Sequence, residues 1–437
     1  MDWPLVLLIV FGSLMILLIS GLPVAFSFML INIVGVALLW GGEGGLRQLI
    51  FTMWQSVASF MFLPIPMFVL LGELVFRSGT AMRAIDVLDK WLGRLPGRLA
   101  VLVVCGATLF STMSGSSLAT TALLGEALIP EMEKRGYKKS LSMGAVMGSG
   151  GLAMLIPPSA LAVIWASIAG VSIGKILIAG IIPGLVIALF YGIYVVGRCR
   201  LQPSIAPAYE VAPTPLLEKL IGTIKYVLPL SFIVFMVTGL IFLGVATPSE
   251  SAAMGVLSSI VLAAAYRKLN GEIIKESLMV TVKLSVMILL ILSGAKAFSQ
   301  ILAYTMASRE LVTWITSLPL TPIFIIIGII LIILFMGMFL SGAAIMMITL
   351  PIFMPIIKTL GFDPVWFGLI FLINIEMGTT TPPFGTLLFV MKGVAPEGTT
   401  MEEIIKAGIP YLICDAAAMI LMIAFPILAL WLPSIMA

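Results

Sequence analysis

Two stretches, MGSGGLAMLIPPS at residues 147–159 and NIEMGTTTPPFG at residues 374–385, decide how the chain folds. Each carries a Pro pair inside a long apolar segment, where a membrane helix needs continuous backbone hydrogen bonds. Pro157 and Pro158 precede Pro382 and Pro383 by 225 residues, and the same offset relates Pro130 to Pro355, Gly136 to Gly361 and Pro23 to Pro248. ILIAGIIP at 176–183 is likewise similar to IIKAGIP at 404–410. The sequence is an internal duplication with a broken helix at the same place in each copy. Paired interruptions at corresponding positions of two halves point to the binding site of a secondary transporter.

Composition places these breaks in a membrane. The 437 residues are 61% hydrophobic and 10% charged, without His, whereas soluble domains carry about 25% charged residues. Residues 3–42 and 311–357 contain no charge. One span takes about 20 apolar residues, so each run folds back at least once. The fold class is an all-α polytopic membrane protein, and the net charge of +4 reads as topology rather than nucleic-acid affinity. Cys105, Cys199 and Cys414 lack CxxC spacing, which argues against a redox or disulfide role. No basic region precedes the first apolar run, so the N-terminus reads as a first span rather than a removed signal peptide.

In chain order, residues 4–40 predict two spans around SGLP, followed by a long span over 49–76. Residues 77–98 hold Arg77, Arg83, Lys90, Arg94 and Arg98, with apolar residues at helical spacing, and predict an amphipathic helix on the cytoplasmic surface. Residues 99–129 carry only Glu126, and the next loop adds Lys134, Arg135, Lys138 and Lys139. Both flanks are therefore cytoplasmic, and the segment between them is a re-entrant hairpin with its tip near MSGSSLATT, 113–121. Irregular backbone at that depth must bond to protein, water or ions. A broken span over 141–170, a return span over 174–197 and a Pro-bearing cytoplasmic linker complete the first half.

The second half repeats the plan with spans at 226–246 and 249–266, a long span to about 306, and a hairpin run over 311–357 with its tip at FLSGAA, 339–344. A broken span over 365–391 and a last span over 407–433 follow. Five crossings and one hairpin per half give about ten transmembrane helices plus two re-entrant hairpins. Because five is odd, the copies are inverted. Arg309 and Lys358 beside the second hairpin are balanced by Glu310 and Asp363. That hairpin should open to the periplasm, with both termini on the same side.

A Pro has no N–H and clashes with the carbonyl one turn earlier, so each pair leaves carbonyls that would cost several kcal/mol apiece in hydrocarbon. A hard cation satisfies them. Thr379, Thr380 and Thr381 add hydroxyls in one copy and Ser159 in the other, while Gly148, Gly150, Gly151 and Gly378 let a hairpin tip approach. Half-helix N-termini favour anions. Sodium plus an organic anion is the economical reading. Of the intramembrane charges, Lys296 and Glu376 are candidates for substrate contact. Glu73, Glu126, Glu250 and Lys283 suit subunit interfaces or interfacial salt bridges, and Asp415 stays open. Without His, a proton relay is weakened. GxSxG, HExxH and Walker A motifs are absent, so an enzyme reading has no support, and a channel is the weaker transport reading.

GGLAMLIPPS, GTTTPPFG, the MSGSS and FLSG tips and the basic helix before the first hairpin resemble the large (M, DctM-like) membrane subunit of tripartite ATP-independent periplasmic (TRAP) transporters, over essentially the whole chain. The resemblance implies an elevator in the bacterial inner membrane, with Na⁺ as coupling ion and no cofactor. Its implied partners are a small four-helix membrane subunit, expected as a separate polypeptide, and a periplasmic binding protein. The implied cargo is an organic anion: a C4-dicarboxylate, sialic acid or other sugar acid, or a sulfonate. It divides the chain into scaffold helices (1–76), an arm (77–98), a transport region (99–197), a linker (198–225), a second scaffold (226–310) and a second transport region (311–437).

By position, the resemblance places one Na⁺ between Ser114, Gly115, Ser116 and Ser117 of the first tip and Gly150, Gly151, Ile156, Pro157 and Ser159 of the first break. A second lies between Ser341 and Gly342 and Gly378, Thr379, Thr380, Thr381 and Pro382. Substrate would sit between them, near Ser116, Ser159, Thr380, Thr381 and Lys296. The alternative is a stand-alone sodium/dicarboxylate symporter of related architecture, but such proteins usually carry a Ser-Asn-Thr element that MSGSSLA and FLSGAA lack.

Overall fold

The computed structural model describes residues 2–40, 42–93, 95–207 and 214–436; the side chains of Ala81 and Thr112–Ser114 also fall outside the description. Arg94 and part of the expected linker therefore lie outside it. Among the described residues every regular element is helical, and seven helical stretches are long and apolar enough to cross a membrane.

The first half opens with α1 (Trp3–Ile19), α2 (Val24–Leu39), α3 (Glu43–Val57), α4 (Pro64–Arg77) and the arm α5 (Thr80–Leu92). The first hairpin is α6 (Arg98–Ser114) and α7 (Ser117–Lys134), and the broken helix is α8 (Lys139–Gly150) with α9 (Ala160–Ala169). The half ends with α10 (Ile173–Ala179) and α11 (Ile181–Leu201). The second half starts with α12 (Leu216–Gly222), α13 (Leu228–Val234) and α14 (Leu240–Phe242), which π-helical turns join into one rod. There follow α15 (Pro248–Ala265), α16 (Gly271–Tyr304), α17 (Ala307–Ser317), the hairpin α18 (Pro322–Gly337) and α19 (Gly342–Thr359), the broken helix α20 (Pro364–Thr380) and α21 (Thr386–Val394), then α22 (Met401–Ala424) and α23 (Ile427–Ser434).

The 225-residue offset carries α7 onto α19 and α8–α9 onto α20–α21. Packing obeys the same exchange: α2 lies on α16 as α15 lies on α4, and α7 lies on α21 as α19 lies on α9. Contacts that swap partners when the halves are exchanged are those of a two-fold, as an inverted repeat requires.

Four expected spans differ. The 226–246 span begins earlier, at Leu216, inside the expected linker. The 49–76 span is divided, because Ser59 accepts the Met61 N–H and starts a 3₁₀ turn at Phe60–Phe62, after which Pro64 opens a new helix. In the 311–357 run, residues 307–317 form the separate helix α17, the counterpart of the arm; without the arm's density of cations, no charge run marked it. Pro319 and Pro322 then separate it from the hairpin. The last span ends at Ala424, and Pro426 opens α23.

The arm's cations are largely paired within the chain. Arg98 is buried and donates to both carboxylate oxygens of Asp89, at 2.8 and 2.6 Å. Lys90 bonds Glu218 at 2.7 Å, the Trp91 indole donates to Thr223 at 2.9 Å, and Arg83 lies 5.5 Å from the centre of the Tyr226 ring. Arg77 pairs with Glu73 and reaches Glu276 on α16. The exposed pairs among these, Lys90–Glu218 and Arg77–Glu276, are each worth about 0–1 kcal/mol, so they register the first half on α12 and α16 rather than anchor it strongly; the buried Arg98–Asp89 pair instead ties the arm to the start of α6. Glu250 closes a capping box with Thr247 at the start of α15. The three cysteines are free.

Candidate functional site

Both hairpins turn on a serine N-cap. Ser116 Oγ accepts the Ala119 N–H and Ser341 Oγ accepts the Ala344 N–H, each at 3.4 Å, and the two serines are 225 positions apart. Gly115 takes φ +56°, and a Cβ there would lie 3.0 Å from the Pro158 carbonyl oxygen. The first tip thus rests directly on the first break. One helical turn farther along α7, a side chain on Gly150 would run into Thr121. The Ser114 side chain lies outside the described residues.

Past α8 the chain makes one 3₁₀ turn, Gly151–Met154, and then leaves helical geometry until Ser159. No described residue donates a hydrogen bond to the carbonyls of Leu155, Ile156, Pro157 or Pro158. Ser159, fully buried, spans the gap: its hydroxyl donates to Met154 O at 2.7 Å and accepts the Ala162 N–H at 3.2 Å. Of these oxygens, Pro158 O faces the first tip and Leu155 O faces Gly180; uncharged carbonyl oxygens without donors are ligands suited to a hard cation.

The second break is more open, with Pro383 and Phe384 exposed. Thr379 donates to Glu376 O at 2.8 Å, Thr380 to Met377 O at 3.0 Å and Thr381 to Met377 O at 2.6 Å. Their hydroxyl protons are committed to the helix, so the remaining lone pairs suit a cation better than a substrate carboxylate. That narrows the expectation for Thr380 and Thr381. The second tip reaches this break: a Cβ on Gly342 would lie 2.7 Å from Ile375, and the Phe339 and Phe384 rings are 5.7 Å apart. Gly337 and Gly378 meet backbone to backbone.

The two units are not separate. Ser117 Oγ on the first tip donates to Glu376 Oε2 at 3.2 Å, and a Cβ on Gly151 would overlap the same carboxyl group. Glu376 stands where the first copy has Gly151, so the two equivalent positions face each other at the centre of the molecule. The sequence marked Glu376 as a substrate contact; the structure buries it at 4% exposure between the first tip and the first break. Asp415 is buried nearby and accepts a hydrogen bond from Tyr191. Lys296 lies elsewhere, on α16, with its ammonium 4.8 Å from the centre of the Phe62 ring. The turn holding Phe62 touches α9, so Lys296 approaches the first broken helix from the other group of helices without joining the tips.

Two hairpin tips and two broken helices gathered at one centre, in a helical membrane chain, leave one decisive comparison. Residues 11–428 match the model of the tripartite ATP-independent periplasmic transporter, DctM component. The chain belongs to that family. It is 32% identical over 391 residues, 89% of its length and 90% of the relative's, to the C4-dicarboxylate TRAP transporter large permease protein DctM of Pseudomonas aeruginosa. It is 29% identical over 418 residues, 95% of its length and 96% of the relative's, to the ectoine TRAP transporter large permease protein TeaC of Halomonas elongata. In three dimensions it is similar to the YdaH transporter of Alcanivorax borkumensis, with TM-score 0.65, 15% identity, and 93% of this chain and 97% of that one covered. At that identity the likeness is one of fold. As a DctM-family permease, the chain is a membrane transport subunit for a small organic substrate.

Proposed function

We propose that this TRAP large permease carries a small organic anion into the cell by sodium-coupled, elevator-type symport, with a small membrane subunit and a periplasmic binding protein. The observation that supports sodium most directly is the first break, where the Pro158 carbonyl lies under the Gly115–Ser117 tip without a donor among the described residues. In this reading α6–α11 and α18–α23 are the mobile body, and α1–α4 with α12–α16 are the scaffold. The arms α5 and α17 join the two. Binding of Na⁺ at the tips completes the half-helix cradle and lets the hairpins close over substrate. Lys296, on the scaffold side, offers its cation to the anion as the mobile body passes. Relatives named for C4-dicarboxylates and for ectoine support a small organic cargo; the anionic charge rests on the half-helix N-termini and Lys296.

Uptake into proteoliposomes is expected only with three components and an inward sodium gradient together. Choline in place of sodium should abolish it, and transport by the large subunit alone would remove the tripartite reading. Thr380→Val keeps the side chain's shape and removes its oxygen. The half-saturating Na⁺ concentration for uptake should rise about tenfold, the scale expected for losing one well-placed ion partner, with little change in melting temperature. An unchanged Na⁺ dependence would take Thr380 out of the site.

A further inference from the structure

We infer that Glu376, from the second repeat, supplies the negative charge of the cation site built on the first hairpin tip and first break. This rests on the sodium reading above and adds to it a ligand from the opposite half. Glu376 is buried, and its Oε1 has no hydrogen-bond partner among the described residues. Among the described residues, its other oxygen accepts only from Ser117. Close by, Thr121 Oγ1 is buried and also without a partner among the described residues. Thr121 overlies Gly150, while the Glu376 carboxyl overlies Gly151. The oxygens therefore flank two adjacent glycines, in space that side chains there would fill.

No ion pair among the described residues involves Glu376. Asp415 on α22, close enough to act on it, is acidic too and offers no countercharge; Tyr191 on α11 donates to Asp415. A buried carboxylate without a countercharge is costly unless paired or bound to a metal. Carboxylate, hydroxyl and carbonyl oxygens together are a ligand set for a hard cation.

The repeat makes the inference specific. The position equivalent to Glu376 in the first copy is Gly151, so the second tip has no matching carboxylate. The two sites are thereby unequal: the first is anionic and binds Na⁺ more tightly, and the second is neutral and weaker. Loading the first also removes an uncompensated charge from the interior of the mobile body, which ties movement to occupancy.

The test is sodium-dependent thermal stabilisation of the purified large–small subunit complex, titrated with NaCl against choline chloride. Wild type should show two saturable steps. Glu376→Gln should shift the tighter step to Na⁺ concentrations higher by about tenfold or more and keep the weaker one, while Thr380→Val should act on the weaker step. If Glu376→Gln leaves both steps in place, this inference fails and sodium coupling stands. If wild type itself shows no response specific to Na⁺, the sodium reading fails with it. Should the Gln variant not fold, Glu376→Asp decides: it keeps the charge but withdraws it by one methylene, and an unaltered tighter step overturns the assignment.

Discussion

Gly378→Val is expected to leave almost no folded, transport-competent protein. Gly378 lies in the last turn of α20 just before the second break, where a Cβ would lie 2.7 Å from the Gly337 Cα and 3.2 Å from the Gly337 carbonyl carbon. The obstacle is backbone on the neighbouring helix, so no rotamer relieves it. Inserting bulk into a packed interior costs about 1–3 kcal/mol even where side chains are able to adjust, and small residues are what allow membrane helices to approach this closely. Separating α18 from α20 also withdraws the second tip from its break. Gly337→Val should reproduce the defect from the other helix, whereas Gly12→Val on α1, with nothing within 4 Å of its Cβ, should be tolerated. Apparent melting temperature and gel-filtration profile in detergent report all three variants. A Gly378→Val protein that melts like wild type would refute the close crossing.

The 225-residue repeat was legible because Pro and Gly cannot be exchanged freely where a helix must break or approach another. Pro157, Pro158, Pro382 and Pro383 located both breaks, and Ser116 and Ser341 emerged as matched N-caps. What stayed hidden had no compositional signature. The arm α17 lacks the cations that revealed α5, and the division between α3 and α4 rests on Ser59 and Pro64 within a run that reads as a single span. The role of Glu376 was obscured for a different reason. Its partners Ser117 and Gly151 lie more than two hundred residues away in sequence, and a lone carboxylate in an apolar segment says that it is functional, not what it faces. Lys296 shows the converse: a conspicuous intramembrane cation whose place is on α16, beside the Phe62 ring.

Tyr191→Phe should be the most damaging conservative change outside the tips. The Tyr191 hydroxyl on α11 donates to Asp415 on α22, and both residues are buried, at 1% and 3% exposure. Removing the hydroxyl leaves the carboxyl without that donor, in a body that already encloses Glu376. A buried polar group deprived of its partner costs about 1–3 kcal/mol, more when charged. Replacing both partners by apolar groups of similar shape is often close to neutral. The double variant Tyr191→Phe/Asp415→Leu should therefore be more stable than the two single losses added together, with a coupling of about 1–3 kcal/mol typical of residues in direct contact. A thermal-unfolding cycle over wild type, both single variants and the double one measures it. Simple additivity would mean that Tyr191 holds α11 against α22 through its ring, packed edge-on against Tyr411 at 5.1 Å between centres, and not through its hydroxyl.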